Sequence, residues 1–259
     1  MAIGVSSSCL YPLSPCESLE ILGKLGIHTS EVFINSPSEM TSEYAKKLNA
    51  LRKEYGIGIL ALHPFTSFAE TVMLFSEYKQ RFTDTLEYYK TIFETTAMLG
   101  AKITVIHGSR LPGKISDEEY FGRFSKMVEE GRNFGITVAQ ENVHNHFSQN
   151  PEFMKKMREQ LGSDFSMVMD IKQARRAGFD PMEFASEFAK EIVHVHLSDH
   201  DGMHDCMPPL TGNFDFGKLF ETMKNADYSG GYVIELYRHN FGSPDELLAA
   251  KLQLDAISK

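Results

Sequence analysis

Cysteine is scarce in this chain. Cys9, Cys16 and Cys206 are odd in number, far apart and outside any C-x-x-C spacing. Neither a disulfide framework nor a thiolate zinc site is expected, and the usage suits a reduced, cytoplasmic protein. Positive charge is short as well: 26 Lys and Arg face 35 Asp and Glu, a formal net charge of -9. That balance argues against nucleic acid as a partner, because such binding rests on neutralising phosphates. No stretch approaches the roughly 20 apolar residues of a spanning helix, and the start shows no basic segment leading into a long apolar one. Neither a membrane nor a secretion route is expected. The first strand-like run is followed by Ser6-Ser-Ser-Cys-Leu-Tyr instead of G-x-G-x-x-G, so the dinucleotide turn of an open doubly wound sheet is missing. There is no low-complexity segment and no linker that would divide the chain.

What is present is an apolar content of 42% over 259 residues, enough for one large core and read as a single domain over residues 1–259. Strand-like runs alternate with helical ones. The strands fall at Ile3 to Ser7, His28 to Asn35, Ile57 to His63, Lys102 to His107, Thr137 to Asn142, Phe165 to Asp170, Glu191 to Ser198 and Gly231 to Leu236. Between them, helices are signalled by Ser14-Pro, by Tyr44, Leu48 and Leu51, by the Glu77–Leu99 region ending at Gly100, and by Ser116 to Phe134 ending at Gly135. Later ones fall at Pro151 to Leu161, after Gly178-Phe-Asp-Pro181, at Phe216 to Met223 and after Ser243-Pro. Eight strand-helix units of this size predict an α/β protein, a closed (β/α)8 barrel of parallel strands.

The seventh run, Glu191-Ile-Val-His-Val-His-Leu-Ser-Asp-His-Asp-Gly202, combines strand patterning with imidazoles and carboxylates. Alternation predicts Val193, Val195 and Leu197 on one face and His194, His196 and Ser198 on the other. Buried imidazoles need partners or a metal. Candidates stand at or near the C-terminal ends of six strands: His63, His107, Glu141, Asp170, His196 and Glu235. In a (β/α)8 barrel these ends share one mouth, where a divalent cation would offset the repulsion among carboxylates.

The segments Ala139-Gln-Glu-Asn, Met169-Asp-Ile-Lys-Gln, Val195-His-Leu-Ser-Asp, Gly212-Asn-Phe-Asp-Phe and Val233-Ile-Glu-Leu resemble the sugar isomerase/epimerase family of xylose-isomerase-like TIM barrels, over almost the whole chain. The resemblance implies one divalent ion, Mn²⁺ first and Mg²⁺, Co²⁺ or Zn²⁺ as alternatives, held by Glu141, Asp170, His196 and Glu235. It also implies a small sugar or polyol as partner and permits a homo-oligomer. Related endonuclease IV carries a three-zinc cluster with further histidines. Here Gln173 stands three residues after the Asp and Cys206 matches the other position without gaps, although a slipped loop would bring His204 there. In the epimerases the residue matching Gln173 is a substrate-contacting His.

Isomerisation and epimerisation both remove a proton beside a carbonyl and return it, through an enediolate. Glu141 and Glu235 are the expected proton carriers, with His63, His107 and Gln173 as substrate contacts. Two other readings stay open: a dehydratase or lyase on a polyol-like substrate, and a non-catalytic sugar-binding barrel. His194 is expected to pack and hydrogen-bond beneath His196. Glu31 should face the interior with Phe33 and Asn35, either orienting another polar group or forming a buried pair. Lys172, Arg175 and Arg176 read as a solvated cluster entering a helix. Asp199, His200, Asp201, His204 and Asp205 read as a solvated loop, and Tyr11, Phe65 and Phe68 as aromatics of the mouth loops.

Overall fold

The computed structural model describes residues 2–258; Met1 and Lys259, the ends of the expected domain, lie outside them. Eight strands form a closed barrel in chain order: β1 (Ala2–Ser6), β2 (Thr29–Phe33), β3 (Gly58–His63), β4 (Ile103–Ile106), β5 (Thr137–Glu141), β6 (Met167–Asp170), β7 (Ile192–Leu197) and β8 (Gly231–Ile234). Every neighbouring pair is parallel, including β8 with β1, where Ala2 faces Gly231 and Val5 faces Ile234. The expected (β/α)8 barrel is therefore what the chain forms. Among the described residues ten α-helices accompany the strands: α1 (Pro15–Lys24), α2 (Ser42–Glu54), α3 (Glu70–Met73), α4 (Lys79–Met98), α5 (Asp117–Asn133), α6 (Pro151–Leu161), α7 (Ile171–Arg176), α8 (Pro181–Glu187), α9 (Phe216–Asn225) and α10 (Pro244–Ile257). Among the described residues, no helix is long and apolar enough to cross a membrane.

Local chemistry sets where these helices start. Ser14 and Glu17 exchange the two hydrogen bonds of a capping box at α1, with Pro15 at the first helical position. Asn150, Asp170, Asp180 and Asp215 each accept a backbone N–H with the side chain at the helix they open. The helices cover the outer face of the sheet, where Val32, Leu62, Ile106, Val195 and Leu197 join one continuous apolar core. Inside the barrel lies a separate cluster of Ala61, Val105, Ala139 and Val168, with Ile103 and Val193 against it. Gly231 leaves room for the Leu60 side chain, since a Cβ there would meet Leu60 Cδ1 at 2.3 Å.

Val193 departs from simple alternation. It packs on the interior plug, whereas Val195 and Leu197 belong to the outer core. The cause is a register shift in the β6–β7 pair: Met167 faces Ile192, but Val168 faces His194, so Val193 is the extra residue. A second shift lies in the β2–β3 pair between Ser30 and Val32. The short helix α3 was not expected from the sequence, because it is too short to display a period; α7 is the helix that the basic cluster Lys172, Arg175 and Arg176 was read as entering.

Candidate functional site

Two residues above the interior plug, the same strands turn polar. His63, Glu141 and Asp170 end β3, β5 and β6, His107 follows β4, His196 lies near the end of β7, and Glu235 follows β8. The structure brings Glu141, Asp170, His196 and Glu235 together, each contributing one ligand-type atom within 4.8 Å of the others. His196 Nδ1 lies 3.4 Å from Glu141 Oε1, 3.6 Å from Asp170 Oδ2 and 3.5 Å from Glu235 Oε2. His196 Nδ1 is buried and has no hydrogen-bond partner among the described residues, while Asp170 Oδ2 and Glu141 Oε2, equally buried, meet Lys172 Nζ at 3.2 Å and His107 Nε2 at 3.0 Å. Orphaned buried polar atoms of this kind are costly. Three carboxylates and one imidazole converging on a point are a donor set that fits a divalent cation.

Surrounding groups hold each of these side chains in place. Asp170 uses Oδ1 to cap α7 through Gln173 N at 2.8 Å, which leaves Oδ2 for the cluster. Its backbone is clamped by Asn142, whose Oδ1 accepts from Asp170 N and whose Nδ2 donates to Asp170 O. Glu31, fully buried on β2, accepts from His194 Nε2 and His196 Nε2, both at 3.1 Å on the same oxygen, and from Ser6 Oγ on the other. Burial alone would raise the Glu31 carboxyl, but the two imidazoles outweigh it and hold it well below the ordinary 4.5. An ionised Glu31 can only accept, so each Nε2 carries a proton; burial opposes a charge on His196, but Glu31 and Glu235 raise its imidazole well above 6.5, and a cation at the cluster would take the place of the proton on Nδ1. Glu31 thus orients another polar group, and His194 hydrogen-bonds beneath His196.

His63 and His107 meet on the other side of Glu141. Their Nε2 atoms are 2.9 Å apart, and Glu141 Oε2 lies 3.0 Å from His107 Nε2 and 3.5 Å from His63 Nε2. These three also converge tightly enough to hold an ion. Phe33 stacks on His63 at 4.5 Å between ring centroids and fixes its plane. Burial pushes Glu141 up, yet His107, His196 and His63 together keep it well below the carboxylate range. Glu235, against the same opposing burial, is lowered by Lys172 and His196. Asp170 is raised, since burial exceeds the help it receives from Lys172.

A cavity of about 510 Å³ opens over these groups, lined by Tyr11, Asn35, His63, Gln173, Glu235 and Tyr237 among others. Gln173 Oε1 accepts from His144 N at 3.1 Å, which ties this wall to the loop after β5. Phe65 instead packs edge-on to Tyr88, and Phe68 is exposed.

Three expectations change. Lys172 is not solvated: it is 4% exposed and ion-paired to Glu235 at 2.9 Å and Asp170 at 3.2 Å, because the helical turn after Asp170 swings it inward. Arg176 is tied to Asp205 and to Tyr237 Oη, so only Arg175 of that cluster is exposed. Asp199 is buried, accepting from the backbone N–H groups of His200, Gly212 and Phe214, and so organises the loop after β7. Glu70 was not singled out by the sequence. It is fully buried at the start of α3 and accepts from Gly108 N and Tyr89 Oη, but a four-residue helix away from any strand end carries no local signal.

Residues 19–256 match the xylose isomerase-like TIM barrel family. The chain belongs to that family. A curated relative, an uncharacterized protein of Mycobacterium leprae (strain TN), is 21% identical over 94% of this chain and 91% of its own. Among solved structures, a D-tagatose 3-epimerase-like protein superposes with a TM-score of 0.83 at 23% identity, covering 99% of this chain and 97% of that one. The D-allulose 3-epimerase from Methylomonas sp., solved in complex with D-allulose, superposes with a TM-score of 0.80 at 14% identity over 100% and 97% of the two chains. At these identities the likeness is one of fold.

Proposed function

We infer that this xylose isomerase-like barrel is a divalent-metal-dependent epimerase or isomerase of a small sugar or related polyol. The observation that carries the reading is the convergence of Glu141, Asp170, His196 and Glu235 on one point, with the buried and unpartnered Nδ1 of His196 aimed into it, beneath a cavity of about 510 Å³. That volume lies within the range of small-molecule sites. Two structural neighbours, a D-tagatose 3-epimerase-like protein and a D-allulose 3-epimerase, agree with it. The four side chains would hold one ion, Mn²⁺ by preference for an oxygen-rich donor set, with Mg²⁺, Co²⁺ or Zn²⁺ as alternatives. When bound, the ion supplies Lewis acidity, stabilising negative charge as a proton leaves the carbon beside a carbonyl.

The chain's own groups do the rest. Glu141 and Glu235 are ionised carboxylates by the direction of their shifts, and each can take a proton in one direction and return it in the other. Their entry from β5 and β8 places them at different parts of the rim, which suits removal and return on different faces of one carbon. His63 and His107 border Glu141 and the cavity, where they position a hydroxyl of the substrate; Gln173, beside the loop after β5, supplies an amide from the wall that follows β6. Phe33 and Tyr11 offer ring faces to the apolar side of a sugar.

The test is proton exchange. Mn²⁺-loaded protein, incubated in D₂O with a panel of ketoses, aldoses and polyols, should introduce deuterium beside the carbonyl, located by NMR. Label at C3 with inverted configuration selects epimerisation; label at C1 or C2 with carbonyl migration selects isomerisation. A dehydrated product would instead place the enzyme among the lyases. Tight sugar binding with no exchange from any substrate would leave a binding barrel and overturn the catalytic reading.

A further inference from the structure

Lys172 is the one Lys or Arg, among the described residues, ion-paired to any of the four proposed ligands. Its Nζ lies 2.9 Å from Glu235 Oε2 and 3.2 Å from Asp170 Oδ2. Those are the same two oxygen atoms that face His196 Nδ1 at 3.5 and 3.6 Å. The Lys172 bond is also the one hydrogen bond made by the Glu235 carboxylate among the described residues. On its other side the ammonium sits 5.1 Å from the centroid of the Tyr237 ring, and it lines the cavity. Folding alone gives little reason for a charge at this position, since exchanging a buried ion pair for apolar groups is often neutral or stabilising.

We propose that Lys172 is a positioning residue of the metal centre: a built-in monovalent cation that shares two ligand oxygens with the divalent ion, tethers Glu235 for proton transfer, and keeps the ion exchangeable. The proposal rests on the quartet reading above. Two effects point the same way. With the ion present, a neighbouring ammonium repels it and draws on the same oxygens. With the ion absent, the ammonium relieves the repulsion among Asp170, Glu235 and Glu141 that a cation would otherwise relieve. Both lower the gain on binding the ion, so removing the charge should tighten the ion's hold while loosening Glu235.

Calorimetric titration of chelator-stripped protein with MnCl₂ tests this on the wild type, K172M and K172Q; K172Q keeps a hydrogen-bond donor and serves if K172M does not fold. Both variants should bind Mn²⁺ about tenfold or more tighter than the wild type, and their melting temperatures should rise further on adding Mn²⁺. K172R, which keeps the charge, should restore the wild-type affinity. If the wild type binds and the neutral variants bind equally or more weakly, Lys172 is a structural counter-ion and the proposal is overturned. Binding by the neutral variants alone upholds it, with the ammonium standing in for the ion. Binding by none of them sinks the quartet reading, and this proposal with it.

Discussion

Two layers of the barrel interior, one residue pair apart on the same strands, behave as different materials. Ala61, Val105, Ala139 and Val168 form a dry aliphatic plug; His63, His107, Glu141 and Asp170, each two residues further along its strand, form a charged mouth. Alternation forces both layers to point inward, so strand geometry does not distinguish them. What separates them is access to counter-charge. In the lower layer the counter-charge among the described residues is Glu31, already taken up by His194, His196 and Ser6, so further ionised groups there would stay unpaired. The upper layer is ringed by Lys172, by imidazoles and by the backbone donors of the loops. β7 alone carries imidazole in both layers, and Glu31 reaches between them to serve both rings.

The largest effects should come from the mouth. His196→Ala or Asp170→Asn should reduce bound Mn²⁺ from about one ion per chain to a small fraction, read by elemental analysis, with far-ultraviolet circular dichroism unchanged. Full occupancy in both variants would refute their role. Glu141→Gln and Glu235→Gln should each slow deuterium exchange by about 10²- to 10⁴-fold; wild-type exchange in either removes that residue from the mechanism. Glu31→Gln reaches the layer boundary. It should weaken Mn²⁺ by about 10- to 100-fold, because an amide no longer enforces the Nε2–H tautomer of His196, and unaltered affinity would show that the ring needs no such partner.

In the plug the opposite signature is expected. Val168→Ala should cost about 1–3 kcal/mol in urea denaturation through the void it leaves and leave Mn²⁺ affinity as it was. A large loss of affinity there would erase the distinction between the layers. The smallest effect concerns Glu70, outside both. Burial raises its carboxyl above 4.5, although His107, Gly108 N and Tyr89 work against the shift. Between 4.5 and the higher folded value the folded chain binds more protons than the unfolded one, so this group's contribution to stability falls as pH rises through that window. Glu70→Gln should flatten that part of the stability profile, measured by denaturation at a series of pH values; an unchanged slope would reject the assignment.

The barrel was legible in the sequence because short apolar runs alternate with helical spacing, with glycine ending helices before β4 and β5, and such rhythm survives without any tertiary contact. The quartet was legible for a related reason: ligand-type residues at matching strand ends share one rim whatever the packing beneath. Val193 was misplaced because a one-residue shift between β6 and β7 depends on the partner strand. Glu31 was left undecided because its two histidines lie 163 and 165 residues away. Lys172 was read as solvated because Lys-Gln-Ala-Arg-Arg looks like any basic helix entry. Only the start of α7 at Asp170 decides that Lys172 turns inward and Arg175 outward.

The three cysteines that opened the description as a scarcity differ in what they can be asked to tolerate. Cys9 Sγ donates to Ile234 O and accepts from Leu236 N, both at 3.3 Å, while Cys206 Sγ accepts from Tyr237 N at 3.4 Å. The backbone on both sides of Glu235 therefore rests on thiol sulfur. Burial pushes the Cys9 thiol up to about 12 and raises that of Cys206, so both are poor nucleophiles in the folded chain. Cys16, half-buried on α1 and away from this segment, is the natural handle for a fluorophore or spin label. A cysteine-free background made by replacing all three would alter the support of one of the two proton carriers, and probes of this barrel are better attached with Cys9 and Cys206 left in place.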